Sequence, residues 1–173
     1  MNKKLYTYYI YLYSLYLYYK EKYIYVSQNS IDEIDTNLYV GDIYTAMNKD
    51  YLKQHNFKNI ISALEGFEGY YSDEFNYVLL ELIDNDQQYI IDNFDKTNKF
   101  IQDSIDNNEK ILIHCVCGVS RSVTILAAYF IYTYKMTPEQ AIDKIQKKRS
   151  VANPNNFFRQ QLQDYYNLLY NKL

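Results

Sequence analysis

The chain has 173 residues, 48% of them hydrophobic, which suits one globular domain with a sizeable core. A formal net charge of −3 gives no electrostatic footprint for nucleic acid, and the two cysteines, Cys115 and Cys117, sit too close in sequence to frame a disulfide scaffold. A reducing compartment, cytoplasmic or nuclear, is therefore expected, and the 18 basic residues, 15 Lys and three Arg, make each Arg a marker of a place that needs a planar fork.

Residues 1–26 form a Tyr-rich N-terminal extension holding ten of the 23 Tyr, uncharged from Leu5 to Tyr19. That stretch is short for a membrane span and its phenolic hydroxyls suit one poorly, so no stable membrane insertion is expected. No small-residue cleavage site follows it, and Asn2 stands where myristoylation requires glycine. An added strand or packed extension competes with a compositionally biased tail that takes no part in the chemistry.

Residues 27–173 read as one domain. Short apolar runs at Leu38-Tyr39-Val40-Gly41, Asn59 to Leu64, Tyr77 to Ile83 and Lys110 to His114 are strand signals. Ile90, Phe94, Ile101 and Ile105 recur at helical spacing, and Ser122 to Tyr134 is an apolar helix. Thr137-Pro138-Glu139-Gln140 has the grammar of a helix start, and a last helix follows Asn153-Pro154-Asn155 with a Phe158, Leu162, Tyr165, Leu169 stripe. Lys144, Lys147, Lys148 and Arg149 are expected to line a solvated helix face. The alternation predicts an α/β fold, with a central mixed sheet of four or five strands flanked by helices.

The chemistry concentrates in His114-Cys115-Val116-Cys117-Gly118-Val119-Ser120-Arg121-Ser122, which joins the end of a strand to the start of a helix. Backbone N–H groups of such a loop, aided by the helix dipole, favour an anion, so residues 116–121 are candidate phosphate ligands. Gly118 permits the turn, and Arg121, six positions after Cys115, can fork two phosphate oxygens. The same donors stabilise a thiolate, which makes Cys115 a candidate nucleophile, with Ser122 to receive it when it leaves. Expelling an alkoxide needs a proton. Asp84 and Asp86, at the end of a strand expected to pair beside Lys110–His114, are the candidate acids, Asp84 preferred. His114 is expected to orient the loop rather than move a proton.

These residues resemble the dual-specificity protein tyrosine phosphatases, whose motif HCxxGxSRS is matched by His114 through Ser122. Asn37 to Gly41, Phe94 ten residues after Asp84, and Ala152 to Phe157 with Gln161-Leu162 are similar to segments of small atypical members, over about residues 31–170. The resemblance implies that residues 27–173 are a catalytic domain acting on phosphotyrosine and phosphoserine or phosphothreonine in phosphoproteins, without metal or other cofactor. It also gives Asn153 a supporting role at the loop. Uncharged Val116, Cys117 and Val119 disfavour a highly charged lipid or RNA triphosphate. A phosphopeptide-binding pseudophosphatase and an RNA or lipid phosphate hydrolase stay open as alternatives, as does the oligomeric state. Cys117, where the family usually has a small residue, reads as a small core residue or as a redox partner of Cys115.

Overall fold

The computed structural model describes residues 30–171, so the Tyr-rich extension lies outside the described residues. At the centre is β5, Lys110–His114, whose KILIH sequence is buried along almost its whole length, as a strand covered on both faces must be. It runs parallel to β2, Leu38–Gly41, on one side and to β3, Phe57–Ala63, on the other. The edges are β1, Ile31–Asp35, antiparallel to β2 across a tight turn in which Asn37 takes φ 63°, and β4, Asn76–Leu80, parallel to β3. The sheet is therefore mixed and five-stranded, in the order β1-β2-β5-β3-β4.

Period-two alternation splits β5 between two cores. Ile111 and Ile113 face the larger one, with Val123, Leu126 and Phe130 of α4, Arg121–Tyr134. Every residue of α4 from Arg121 to Ile131 is buried, because β5 lies beneath it and α3 (Phe94–Asp106), α5 (Pro138–Gln146) and α6 (Asn156–Tyr170) surround it. Leu112 faces the smaller core, with Ala46 of α1 (Ile43–Met47), Leu52 of α2 (Lys49–Gln54), Phe57, Ile60 and Phe75. The expected start of α5 is present as a reciprocal capping box: Gln140 N–H donates to Thr137 Oγ1 and the Thr137 N–H to Gln140 Oε1.

One expected pairing is corrected. β4 does not lie beside β5, because β3 is interposed, and the strand feeding the Asp84 loop is the far edge of the sheet. Asp84 reaches the centre because the chain after Leu80 turns back along the sheet's end, held by the Glu65 N–H bond to the Leu82 carbonyl at 3.1 Å.

Candidate active site

The Cys115 loop leaves the C-terminal end of β5 and enters α4, so the positive end of that helix's dipole faces it. Four successive carbonyls turn outward and each meets a donor. Ile43 N–H reaches Val116 O at 3.0 Å, Arg149 Nη2 reaches Cys117 O at 3.0 Å, Arg149 Nε reaches Gly118 O at 2.6 Å, and Asn153 N–H reaches Val119 O at 2.8 Å. A trans peptide is planar with its N–H opposed to its C=O, so fixing these carbonyls turns the amides of Cys117, Gly118, Val119 and Ser120 to the inner side. That inner side is where an oxyanion fits.

Cys115 is 2% exposed; its Sγ accepts from the Gly118 N–H at 3.2 Å and from Ser122 Oγ at 3.4 Å. Burial alone would push this thiol up. The Arg121 charge and hydrogen bonds from Ser122 Oγ and the Ser122 and Val119 amides outweigh burial, and the thiol lies below its ordinary value. Each of these donors favours the thiolate over the thiol.

Arg121 is nearly buried, its Nη1 donating to Leu82 O at 3.0 Å and its Nε 3.4 Å from Asp84 Oδ2, an ion pair without hydrogen-bond alignment. Asp84 Oδ1 accepts from Ser120 Oγ and from Asn155 Nδ2, both at 2.9 Å. Asn155 also caps α6 through Phe158 N–H at 2.8 Å, and its own N–H donates to Ser120 Oγ at 3.2 Å. The far end of the Asp84 loop is tied to α6 by Gln161, which accepts from the N–H groups of Ile90 and Ile91 and donates to Gln88 O. Asp86 shares none of these contacts, so of the two carboxylates Asp84 is the one that meets the Cys115 loop.

His114 is fully buried against the Phe67 ring, with Nδ1 3.2 Å from Cys115 O. Burial chiefly, with the Arg121 charge adding to it and the Cys115 carbonyl opposing, lowers it to about 4, so it is neutral at pH 7. A neutral ring protonated at Nδ1 can hold the Cys115 carbonyl by donating to it.

Two further expectations change. Cys117 is exposed and Cys115 buried, with neither in a disulfide, so Cys117 is not a core residue. Arg149 is 2% exposed and does not line a solvated face, because its guanidinium turns in to the loop carbonyls, Asp32 and Ser30. Asn153 supports the loop through its backbone amide, while its Oδ1 accepts from Arg159. Sequence reasoning missed the parts played by Arg149, Asn155 and the Ser120 side chain. For Arg149 the signal was there, in the scarcity of Arg beside 15 Lys.

The dual specificity phosphatase catalytic-domain model matches residues 38–168. Dual specificity protein phosphatase 1 of Arabidopsis thaliana is 34% identical over 140 residues, 81% of this chain and 71% of its own length. Dual specificity protein phosphatase 1B of the same plant is 33% identical over 135 residues, 78% of this chain and 81% of its own. Among solved structures, the human tyrosine phosphatase-like serine/threonine/tyrosine-interacting protein matches with a TM-score of 0.77 at 29% identity, over 81% of this chain and 97% of that one.

Proposed function

The chain belongs to the dual specificity phosphatase family, and from that premise we propose that it hydrolyses phosphotyrosine and phosphoserine or phosphothreonine in proteins through a phosphocysteine on Cys115. The observation that carries the mechanism is the set of donors on one sulfur: Gly118 N–H at 3.2 Å and Ser122 Oγ at 3.4 Å, beside Arg121. In the first step the Cys115 thiolate attacks phosphorus, a P–S bond forms, and the bond to the substrate oxygen breaks. The inward amides of the loop and the Arg121 fork hold the equatorial oxygens, and Asp84 protonates the departing oxygen. In the second step water attacks phosphorus and Asp84 takes its proton. The P–S bond breaks, inorganic phosphate leaves, and Ser122 Oγ donates to the returning thiolate.

Protein substrates are favoured over polyanionic ones because Val116, Cys117 and Val119 bring no charge to the loop, and Arg149 spends its guanidinium on carbonyls behind it. A reducing location, cytoplasmic or nuclear, fits a mechanism that needs a free thiolate. Among the described residues no helix is long and apolar enough to cross a membrane. Profiling wild type and Cys115→Ser against phosphotyrosine, phosphoserine and phosphothreonine peptides, inositol phosphates and a 5′-triphosphorylated RNA tests this function. Wild type should turn over the peptides, while Cys115→Ser should bind them without turnover. Turnover surviving in Cys115→Ser sinks the mechanism, and preference for the inositol phosphates or the RNA sinks the substrate class.

A further inference from the structure

Arg149 is a buried cation that touches neither Cys115 nor the side of the loop where substrate phosphate would sit. Taking a guanidinium out of water is costly unless its donors are met, and here all three nitrogens are met. Nη1 donates to Asp32 Oδ2 at 2.7 Å, Nη2 to Ser30 Oγ and Cys117 O at 3.0 Å each, and Nε to Gly118 O at 2.6 Å. Asp42, at the N-terminus of α1, adds a second nearby negative charge.

The two carbonyls gripped by Arg149 belong to a specific pair of peptide units. The Cys117 carbonyl shares its plane with the Gly118 N–H, which donates to Cys115 Sγ at 3.2 Å. The Gly118 carbonyl shares its plane with the Val119 N–H, which also stabilises the thiolate. Arg149 and the sulfur therefore hold opposite ends of the same two rigid planes. The fork matches two neighbouring carbonyls, whereas a lysine ammonium would serve them as a single point. Gly118 also faces Arg149 so closely that an added Cβ would lie 2.6 Å from Nη2.

We propose that Arg149 is a positioning residue for the phosphatase reaction: it aims the Gly118 and Val119 amides at the nucleophile and the phosphate, and ties that aim to Ser30 and Asp32, where the chain enters β1. The role rests on Cys115 being the nucleophile. A merely structural arginine would alter stability alone, whereas this one sets how acidic Cys115 is and how tightly an oxyanion binds without touching either.

The test uses the full chain with Arg149→Lys, checked for folding by circular dichroism and thermal denaturation. Cys115 acidity is read from the pH dependence of iodoacetamide alkylation, with the modified position assigned by fragmenting the peptide that carries both cysteines. Oxyanion affinity is read with orthovanadate. Arg149→Lys should raise the Cys115 pKa by about one unit and weaken orthovanadate about tenfold, since each lost charge-assisted contact is worth about a factor of ten. If Arg149→Lys does not fold, the double variant Ser30→Ala, Asp32→Asn loosens the fork's outer anchors, and it should shift both readouts the same way by about threefold. A folded variant with wild-type alkylation and wild-type orthovanadate binding overturns the role of Arg149 while leaving Cys115 as nucleophile. A wild-type Cys115 that titrates as an ordinary thiol and ignores orthovanadate overturns both.

Discussion

Replacing Gly118 with Ala tests whether the loop's geometry, and not only its residue types, makes the site. Gly118 has φ +66°, and an added Cβ would lie 2.6 Å from the Gly41 carbonyl oxygen and 2.6 Å from Arg149 Nη2. The left-handed conformation costs an L-residue roughly 1–2 kcal/mol, and forcing an extra methyl into a filled space a further ~1–3 kcal/mol. Something must move. Gly41 is held in register opposite His114 by the β2–β5 pairing, so the loop gives way. The total of ~2–5 kcal/mol corresponds to a thermal midpoint lower by about 5–20 °C for a domain of this size. Gly69→Ala is the control: φ is also positive at +71°, but its Cβ would meet only side-chain atoms at 3.6 Å or beyond, ordinary contact. It should lower the midpoint by only about 2–8 °C and leave kcat alone. Gly118→Ala, assayed well below its midpoint, should lose at least about a hundredfold in kcat, the scale of one misplaced transition-state donor. If Gly118→Ala keeps kcat within a few-fold of wild type, the outward-carbonyl account of the loop is wrong.

His114 makes stability depend on acid. Its folded value near 4 lies below the ordinary 6.5, so the unfolded chain binds the proton more tightly, and the stability present above pH 6.5 drains away as pH falls toward 4. At pH 4.5 that loss is ~2–3 kcal/mol, and urea titrations at pH 7 and 4.5 should show it shrinking in His114→Gln; an unchanged difference would remove His114 as its cause. Asp84→Asn should lower kcat by about 10²–10⁴ for phosphoserine peptides, whose alkoxide needs a proton to leave; if Asp86→Asn does this instead, the acid is misassigned. Asn155→Asp keeps an oxygen to cap α6 but exchanges the donor facing Asp84 for an acceptor. Its thermal midpoint should therefore hold while kcat falls about tenfold, and a kcat equal to wild type would free Asp84 from Asn155.

The parts most legible in the sequence were those governed by local rules. The continuous apolar run of β5 and the Thr137 capping box emerged as read, and so did the strand-to-helix setting of the Cys115 loop, because each depends on neighbours within a few residues. Strand order was not legible in this way. The sequence places Asp84 at the end of a strand but not which strand lies beside that one, because periodicity says which face a residue takes and nothing about its neighbours in the sheet. Arg149 is hidden in the sequence for a related reason: a basic run looks solvated until the fold brings Ser30 and Asp32, more than a hundred residues earlier, to the same place. Asn155 is not distinguishable from Asn153 in the sequence because either can cap a helix or brace a loop, and only the path of α6 decides which faces Asp84.

The three arginines converge on this one loop, from positions 121, 149 and 159. Arg121 sits at the start of α4, beside Asp84 and the thiol, where a phosphate would need its fork. Arg149 grips the loop's carbonyls from behind. Arg159, on α6, donates to Pro154 O at 2.9 Å and Asn153 Oδ1 at 3.0 Å, and so fixes the segment whose Asn153 amide holds Val119 O. In a chain that meets its other needs for positive charge with 15 Lys, this placement follows from geometry rather than charge: each guanidinium contacts two or more acceptors at separate positions, which a single ammonium on a flexible stem matches poorly. Each Arg→Lys change at these positions should therefore cost far more than the exposed Lys99, whose single Asp103 partner at i+4 is an ordinary surface pair worth at most ~1 kcal/mol.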